Sequence, residues 1–220
     1  MIYHDRADAA RQLAQKLRAR ELRHPLILAI PRGGVVIGAV LAHELNAELD
    51  VVLARKLRAP NQPEYAIGAV SEDGQVFLNQ EAVEGLELAP EYLLAERRRQ
   101  LAEIHRRKEL FRAIRPAAKL SQRSVIVTDD GIATGSTMIA ALQIARLHHP
   151  SELLAAAPVA APDRLAQVRR HCDEAICLLV TREFFGVGQF YEDFRQVSDE
   201  EVIELLREAV AAHSKSNPPA

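Results

Sequence analysis

The sequence has few cysteines and no long apolar run, and both shortages exclude whole classes of protein. Its only cysteines, Cys172 and Cys177, are too few for a disulfide framework or for a zinc site of their own. Every apolar stretch is interrupted well before the roughly 18 residues that a membrane span needs. The first residues also lack the basic region and apolar core of a signal peptide. We therefore expect a cytoplasmic protein with a reduced thiol pair and no contact with a membrane.

A strong net charge is also missing. The formal net charge is −2 over 220 residues, which argues against a protein that mainly coats nucleic acid. Hydrophobic residues make up 48% and charged residues 26% of the chain, as is ordinary for a globular enzyme. A chain of this length suits one α/β domain, so we predict a single domain over residues 1–220.

Short apolar runs alternate with stretches of helical periodicity along the chain. This alternation predicts a doubly wound α/β fold, with a mainly parallel sheet and helices on both faces. We expect the last residues, 214–220, to be frayed. The predicted strands are 25–30, 50–54, 124–128, 153–157 and 175–180, and the predicted helices are 5–20, 35–45, 134–147, 163–172 and one from Asp199 onward.

Residues 58–119 interrupt the alternation, and we expect an insertion made of a loop, a hairpin and a helix. A hairpin is predicted within residues 65–78, because Asp73-Gly74 is a strong turn signal. A long charged helix is predicted from Pro90 to Phe111. Its expected apolar seam consists of Leu94, Leu101, Ile104 and Phe111.

The segment Val125–Thr137 carries the strongest functional signal. A buried strand ends in two acidic residues, and a turn of small residues then opens a helix. Gly131 and Gly135 allow the backbone to approach a ligand closely. The amide donors and the dipole of the helix start favour a phosphate. The hydroxyl side chains beside those amides belong to Thr134, Ser136 and Thr137.

Asp129 and Asp130 give this phosphate site a second capability. Carboxylates do not bind phosphate, but they accept hydrogen bonds from vicinal hydroxyls or hold a metal through water. A phosphate site beside a diol acceptor describes a ribose 5-phosphate. The alternative is a simple capped turn with solvent-facing acids, but such a turn needs only one N-cap residue.

The same segment resembles the motif that binds phosphoribosyl pyrophosphate (PRPP) in type I phosphoribosyltransferases. The resemblance lies in the hydrophobic strand, the acidic pair and the sequence Thr-Gly-Ser-Thr that follows. It implies the fold of that family and a role for Asp129 and Asp130 in contacting the ribose hydroxyls. It also implies that the 5-phosphate is held by Gly131, Ile132, Ala133, Thr134, Gly135, Ser136 and Thr137.

Pro31–Gly34 forms a second candidate anchor at the end of the first predicted strand. The amides of Gly33 and Gly34, together with the guanidinium of Arg32, suit a diphosphate. The segment resembles the pyrophosphate loop of the same family. The alternative is a tight turn in which glycine supplies a positive φ.

Three further residues are candidates on position alone. Arg55 and Lys56 follow the predicted strand 50–54, where basic side chains can meet the pyrophosphate. Alternation along a strand places the two on opposite faces, so we expect only one to reach the site. A surface salt bridge is the alternative for either. Tyr65 is a candidate for a mobile lid over the reacting carbon.

Four aromatic residues lie within Phe184–Tyr191. The segment 182–198 resembles the hood that packs a nucleobase in this family, and Phe185 is the candidate base contact. A loop that plugs the edge of the core, or a dimer contact, is an equal alternative. The family is often dimeric, so we expect a homodimer.

Residues 97–119 contain nine Lys or Arg and two Glu. This basic segment could attract a nucleic acid. A solvated helix face is the commoner explanation, so we expect no nucleic-acid partner.

The resemblance implies transfer of the phosphoribosyl group of PRPP to a nitrogen acceptor, with Mg²⁺ as cofactor. Asp129, Asp130 and Arg32 are the candidate catalytic residues, and the two acids are also the candidate Mg²⁺ contacts. Purine-salvage members have an Asp before the Thr-Gly pair, whereas this chain has Ala133, so we do not expect a 6-oxopurine acceptor. Two alternatives stay open, a regulatory protein that senses PRPP or a nucleotide and a Mg²⁺-dependent sugar-phosphate hydrolase.

Overall fold

A computed structural model describes residues 2–60 and 62–216. Eight strands and seven α-helices occur in these residues. The strands are β1 (Leu26–Ala29), β2 (Glu48–Val51), β3 (Ala54–Ala59), β4 (Gln62–Ser71), β5 (Val76–Leu78), β6 (Ser124–Thr128), β7 (Glu152–Ala160) and β8 (Glu174–Val180). The helices are α1 (Arg6–Leu17), α2 (Gly33–Glu44), α3 (Gln80–Gly85), α4 (Pro90–Arg112), α5 (Ser136–Leu147), α6 (Pro162–Val168) and α7 (Asp199–Ser216).

The central sheet has five parallel strands in the order β2-β1-β6-β7-β8. Helices cover both of its faces, so the predicted doubly wound α/β fold is confirmed. Successive side chains of β1 enter opposite cores, because side chains alternate along a strand. Ile27 and Ala29 pack with α1, α2 and α7, whereas Leu26 and Leu28 pack with α5 and α6. Each fully buried aliphatic side chain contributes about 1.5–3 kcal/mol to these cores.

The insertion forms a second sheet of three antiparallel strands, β3-β4-β5, followed by α3 and α4. This sheet begins at Ala54, four residues before the predicted start of the insertion at residue 58. The predicted hairpin pairs β4 with β5, and Gly74 supplies the positive φ of its turn. The sheet packs against α5 and α4. Its residues Leu57 and Ile67 are fully buried, so the insertion shares the main core of the molecule.

The predicted strand 50–54 is wrong at its end. Strand β2 stops at Val51, and Ala54 already belongs to β3 of the other sheet. Val52 and Leu53 are buried at the corner between the two sheets. The apolar run 50–54 therefore does not reveal that the chain turns between two strands. Residues that are buried on both sides of a corner give the same apolar pattern as one buried strand.

The predicted seam of α4 is wrong at Leu94, whose side chain is 52% exposed. The buried face of the helix passes through Glu96, Gln100, Ile104 and Phe111. Leu94 lies about 200° around the helix from Glu96 at roughly 100° per residue. Two buried polar residues thus occupy the face that the pattern assigned to apolar ones.

At the two ends of the chain, α1 and α7 agree with the predicted helices over most of their length. Helix α7 begins at Asp199, and Ser198 caps it, since the Glu201 N–H donates to Ser198 Oγ at 3.2 Å. Of the residues expected to be frayed, 217–220 lie outside the described part of the chain. In the described residues, no helix has the length and apolar character that a membrane span requires.

Candidate active site

The topology places the candidate site at the carboxyl ends of β1 and β6. The chain leaves β1 toward β2 on one side and later enters β6 on the other, so the order reverses between these strands. Ligands of open α/β sheets bind at such a switch point. Pro31–Gly34 follows β1, and the acidic pair Asp129–Asp130 follows β6. The two segments predicted to bind PRPP therefore lie side by side.

Gly33 and Gly34 allow the first segment to pack directly on the acidic pair. A Cβ on Gly33 would overlap the Asp130 carboxylate, and a Cβ on Gly34 would lie 2.9 Å from Asp129 Cα. Both glycines begin α2 without a positive φ, so a turn that needs positive φ does not explain them. The Pro31–Arg32 peptide bond is cis. In this part of the site, glycine is required for close approach.

In each carboxyl group of the acidic pair, one oxygen accepts a hydrogen bond from the protein. Asp129 Oδ1 accepts a hydrogen bond from the Asp130 N–H at 2.9 Å, and Asp130 Oδ2 accepts one from Arg6 Nε at 2.8 Å. Within the described residues, the second oxygen of each carboxyl accepts no hydrogen bond. Those oxygens are the ones that a diol or a hydrated cation can contact.

Burial raises the pKa of the Asp129 carboxyl well above its usual range, and the charge of Asp130 raises it further. The hydrogen bond from the Asp130 N–H and the charge of Arg6 act in the opposite direction. Arg6 is therefore the cation that offsets part of the repulsion between the two acids.

Arg6 is a functional candidate that the sequence interpretation missed. Its side chain is 9% exposed, its Nη1 donates to the Arg195 carbonyl at 2.9 Å, and its guanidinium lies 3.9 Å from the centroid of the Phe194 ring. A signal was present, because Arg6 occupies the same helical stripe as Ala9, Ala10 and Leu13 in α1. A charged residue on an apolar stripe predicts a buried partner.

The phosphate loop, residues 131–137, has amides that are already hydrogen-bonded and amides that can bind a ligand. The Ile132 N–H donates to the Val159 carbonyl at 2.8 Å, and the Ile132 side chain is buried, so this amide is already used. Gly131 packs against Val187 and Val159. Gly135 caps α5 with φ 77°, a conformation that favours glycine, and offers no side chain to the first amides of the helix. The Ser136 N–H donates to Thr134 Oγ1 at 3.4 Å, and the amides that follow it at the helix start can bind an anion.

The polar side chains of this loop lie at the surface. Thr134 and Thr137 are exposed and Ser136 is half-buried. Thr134 Oγ1 and Ser136 Oγ are 3.4 Å apart. Ala133 is exposed as well, and it gives the loop no proton donor or acceptor beyond its backbone. The loop can therefore bind a phosphate through amides and hydroxyls.

The model for the phosphoribosyl transferase domain matches residues 1–195 of this chain. The chain belongs to this family. Two curated relatives, from the CDC 1551 and H37Rv strains of Mycobacterium tuberculosis, are 41% identical over 225 residues and are named provisionally as phosphoribosyl transferases. The alignment covers 99% of this chain and 51% of each relative, so the chain spans about half the length of these proteins.

A solved structure shows the same fold. The protein TT1426 of Thermus thermophilus has 39% sequence identity with this chain and a TM-score of 0.91. The match covers 94% of this chain and 99% of that one. The fold of this phosphoribosyl transferase domain is thus the type I phosphoribosyltransferase fold.

In the phosphoribosyl transferase domain, Arg32 belongs to the first of the two loops, and Arg55 and Lys56 belong to β3. Arg32 Nη1 is 4.0 Å from Asp199 Oδ1. Arg55 and Lys56 line, with Pro31 and Thr137, a cavity of about 260 Å³. Both residues belong to β3 of the inserted sheet and border the same cavity, and the expectation that one of them reaches the pyrophosphate stays a prediction.

Tyr65 lies on the other side of the phosphate loop. It is 46% exposed on β4 and lines a groove of about 560 Å³ together with Thr134 and Ser136. Its place at the mouth of the phosphate loop is compatible with a lid, and that role stays a prediction.

The aromatic segment divides into a buried and an exposed part. Phe190 and Tyr191 are each 6% exposed, and the Tyr191 hydroxyl donates to the Asp130 carbonyl at 2.7 Å. Burial raises the pKa of Tyr191, so its hydroxyl stays protonated and supports the acidic pair. Phe185 is 94% exposed, and its N–H donates to Gln189 Oε1 at 2.7 Å. Phe190 and Tyr191 therefore fit the alternative of a loop that plugs the edge of the core, whereas Phe185 remains a candidate base contact.

Within the described residues, four of the nine Lys and Arg residues of segment 97–119 form ion pairs, and Arg99 pairs with Glu96. Arg112 contacts Asp50 and Glu72, Arg115 contacts Glu48, and Arg106 contacts Asp199. These ion pairs neutralise positive charge that a nucleic acid would otherwise contact.

The residues of the acidic pair suit a hard cation. In the described residues, no group of three His, Cys, Asp or Glu side chains could hold a metal ion. Two carboxylates provide oxygen ligands, and Mg²⁺ commonly takes one or two carboxylates together with waters and substrate phosphates. Asp129 and Asp130 therefore fit a Mg²⁺ that arrives with a diphosphate.

Proposed function

We propose that this chain transfers the 5-phosphoribosyl group of PRPP to a nitrogen acceptor other than a 6-oxopurine, with Mg²⁺ as cofactor. The bond between C1 of the ribose and the pyrophosphate oxygen breaks, and a bond from C1 to the acceptor nitrogen forms. One observation carries the proposal: the acidic pair is packed against Gly33 and Gly34, beside the start of α5, where Gly135 offers no capping side chain. This arrangement brings a diol acceptor, amide donors and a phosphate site together.

Each part of the site takes one portion of PRPP in this proposal. The free oxygens of Asp129 and Asp130 accept hydrogen bonds from the ribose hydroxyls and favour positive charge that develops on the sugar. The amides at the start of α5 hold the 5-phosphate. Arg32 and the amides of Gly33 and Gly34 bind the pyrophosphate. Mg²⁺, when bound, neutralises charge on the leaving pyrophosphate.

The absence of a carboxylate at Ala133 supports the choice of acceptor. A 6-oxopurine acceptor needs a group that handles the proton of the base, and Ala133 supplies none. The same residue favours the second candidate function, a protein that binds PRPP or a nucleotide without turnover.

Calorimetry with PRPP and Mg²⁺ tests the proposal. We expect micromolar binding to the unaltered protein and none to the Asp129→Asn/Asp130→Asn variant. The exposed Asp163→Asn serves as control, because the ion pair of Asp163 in the described part of the chain is with its neighbour Arg164. Absence of binding to the unaltered protein rejects the proposal.

A panel of nitrogenous bases with detection of released pyrophosphate then separates the candidate functions. Release that depends on a base supports the transferase, and binding without release supports the sensor. Phosphate release from sugar phosphates without any acceptor would instead support a hydrolase.

A further inference from the structure

Arg6 joins two parts of the candidate site that come from distant stretches of the chain. Its Nε donates to Asp130 Oδ2 at 2.8 Å, and its Nη1 donates to the Arg195 carbonyl at 2.9 Å. Its guanidinium also lies 3.9 Å from the centroid of the Phe194 ring. Asp130 belongs to the acidic pair, whereas the other two residues belong to 182–198, which we call the hood segment. One guanidinium thus contacts both the predicted ribose site and the predicted acceptor side.

These three contacts depend on the planar shape of the Arg6 side chain. A guanidinium presents its N–H donors as a flat fork and can lie on an aromatic face, whereas a lysine ammonium is a compact point charge. The side chains of Arg6 and Asp130 are 9% and 15% exposed, so water competes little for their ion pair. A lysine at this position would balance the charge of Asp130 but could not make all three contacts together.

The hood segment also packs directly on the loop that carries the acidic pair. The Tyr191 hydroxyl donates to the Asp130 carbonyl at 2.7 Å, and the Tyr191 ring stacks on Phe194 with ring centroids 5.1 Å apart. A Cβ on Gly131 would lie 2.6 Å from a methyl carbon of Val187. Because close-packed interiors transmit small displacements, a change at Asp130 is passed on to the hood segment.

The connection continues to Phe185, the candidate base contact. A Cβ on Gly188 would lie 2.9 Å from the Phe194 ring, so the backbone packs directly on that ring. The next residue, Gln189, accepts a hydrogen bond from the Phe185 N–H at 2.7 Å through its Oε1. Phe185 itself is 94% exposed. The contacts of Arg6 therefore extend through Phe194 to the exposed end of the hood segment.

We propose that Arg6 is a positioning residue that couples the Asp130 carboxylate to the hood segment. A ribose hydroxyl that hydrogen-bonds to Asp130 fixes its carboxylate, and Arg6 in turn fixes the Arg195 carbonyl and the Phe194 ring. The sugar thereby sets the position of the acceptor side. The part played by the sugar rests on the proposed function, whereas the coupling between Asp130 and the hood segment does not.

Hydrogen exchange of the ligand-free protein tests the coupling. Asp130→Asn keeps the shape of the side chain but removes the charge that strengthens its contact with Arg6. We expect the amides of residues 191–195 to exchange about tenfold faster in Asp130→Asn and in Arg6→Lys, since a hydrogen bond to a charged group contributes about 1.5–3 kcal/mol. The double variant should show no further increase, because both changes break the same connection.

Arg11→Lys is the matched control, because Arg11 is an exposed arginine on the same helix. Its amides 191–195 should exchange as in the unaltered protein, and thermal unfolding verifies that each variant is folded. If Asp130→Asn leaves this exchange unchanged, or if the increases of the two single variants multiply in the double variant, Arg6 supports the hood segment independently of Asp130 and the inference is overturned.

Ribose 5-phosphate then tests whether a bound sugar uses the coupling. This probe has no base, yet we expect it to slow exchange at residues 191–195 of the unaltered protein. In Arg6→Lys it should still slow exchange in the phosphate loop but no longer at 191–195. Slower exchange at both segments of Arg6→Lys would overturn the inference, because the sugar would then act on the hood segment without Arg6. If neither ribose 5-phosphate nor PRPP binds the unaltered protein, the proposed function is rejected, and the ligand-free exchange decides the coupling.

Discussion

At the scale of single residues, Asp129 couples the candidate site to the stability of the fold. Its pKa in the folded protein is raised by burial and by Asp130. Below the ordinary Asp pKa of about 3.9, both the folded and the unfolded chain are protonated there, and no penalty arises. As the pH rises above that value, the unfolded chain releases the proton first, so the free energy of unfolding falls. The loss continues until the pH passes the raised pKa.

We therefore predict that Asp129→Asn stabilises the protein at pH 8 and has less effect at pH 4. Asparagine keeps an oxygen for the Asp130 N–H but carries no charge to bury. Urea unfolding at both pH values measures the difference. The control Asp163→Asn should show no such dependence on pH, and an equal effect of Asp129→Asn at both pH values would contradict the raised pKa.

Gly33 provides a second test at this scale. Its backbone is compatible with alanine, but a Cβ would overlap the Asp130 carboxylate and lie 3.0 Å from Arg6 Nε. We predict that Gly33→Ala moves Asp130 and weakens PRPP binding by about tenfold, the effect of losing roughly 1.4 kcal/mol. Calorimetry measures the change. Gly85→Ala is the control, because a Cβ there meets no atom within 4 Å, and equal affinities of the two variants would refute the packing argument.

At the scale of elements, the end of α4 is attached to the central sheet by a buried ion-pair network. Arg112 Nη1 lies 2.6 Å from Asp50 Oδ1, and the same guanidinium donates to the Glu72 carboxylate through Nε and Nη2. The Asp50 side chain is 2% exposed, and its Oδ2 accepts from the Ala118 N–H at 2.8 Å. One arginine thus links β2, the β4–β5 hairpin and the helix.

We predict that Arg112→Met lowers the free energy of unfolding by about 3 kcal/mol, because removing one partner leaves buried charges uncompensated. Urea unfolding at pH 7 measures this change. Arg98→Met changes the same charge at an exposed position and should stay within about 0.5 kcal/mol of the unaltered protein. A loss for Arg112→Met no larger than for Arg98→Met would mean that the network adds nothing to stability.

The elements also show which features a sequence can predict. The strand and loop of Val125–Thr137 follow from local signals, since the apolar run, the acids and the small residues are adjacent in the chain. The contact of Arg6 with Asp130 joins residues 124 positions apart and depends on how α1 packs. The corner at Val52–Leu53 has no local signal at all. Local chemistry was therefore predictable, whereas contacts between distant elements required the fold.

At the scale of the whole molecule, the two sheets share one core. Leu57 and Ile67 of the inserted sheet belong to the same buried cluster as Ile27 and Ile126 of the central sheet. Phe111 of α4 is fully buried in that cluster. Removing the insertion would expose this apolar surface to water, so neither sheet is expected to keep its stability without the other.

We predict that the described fold unfolds in a single cooperative transition, as a single domain would. In differential scanning calorimetry, the calorimetric and van't Hoff enthalpies should agree. In hydrogen exchange under rising urea, the amides of β3 and β4 should converge on the same opening free energy as those of β1 and β6. Arg112→Met should lower that free energy for both sheets together, because the network it breaks supports a shared core. Earlier opening of β3 and β4 in that variant, with β1 and β6 still protected, would show instead that the insertion is an independent unit.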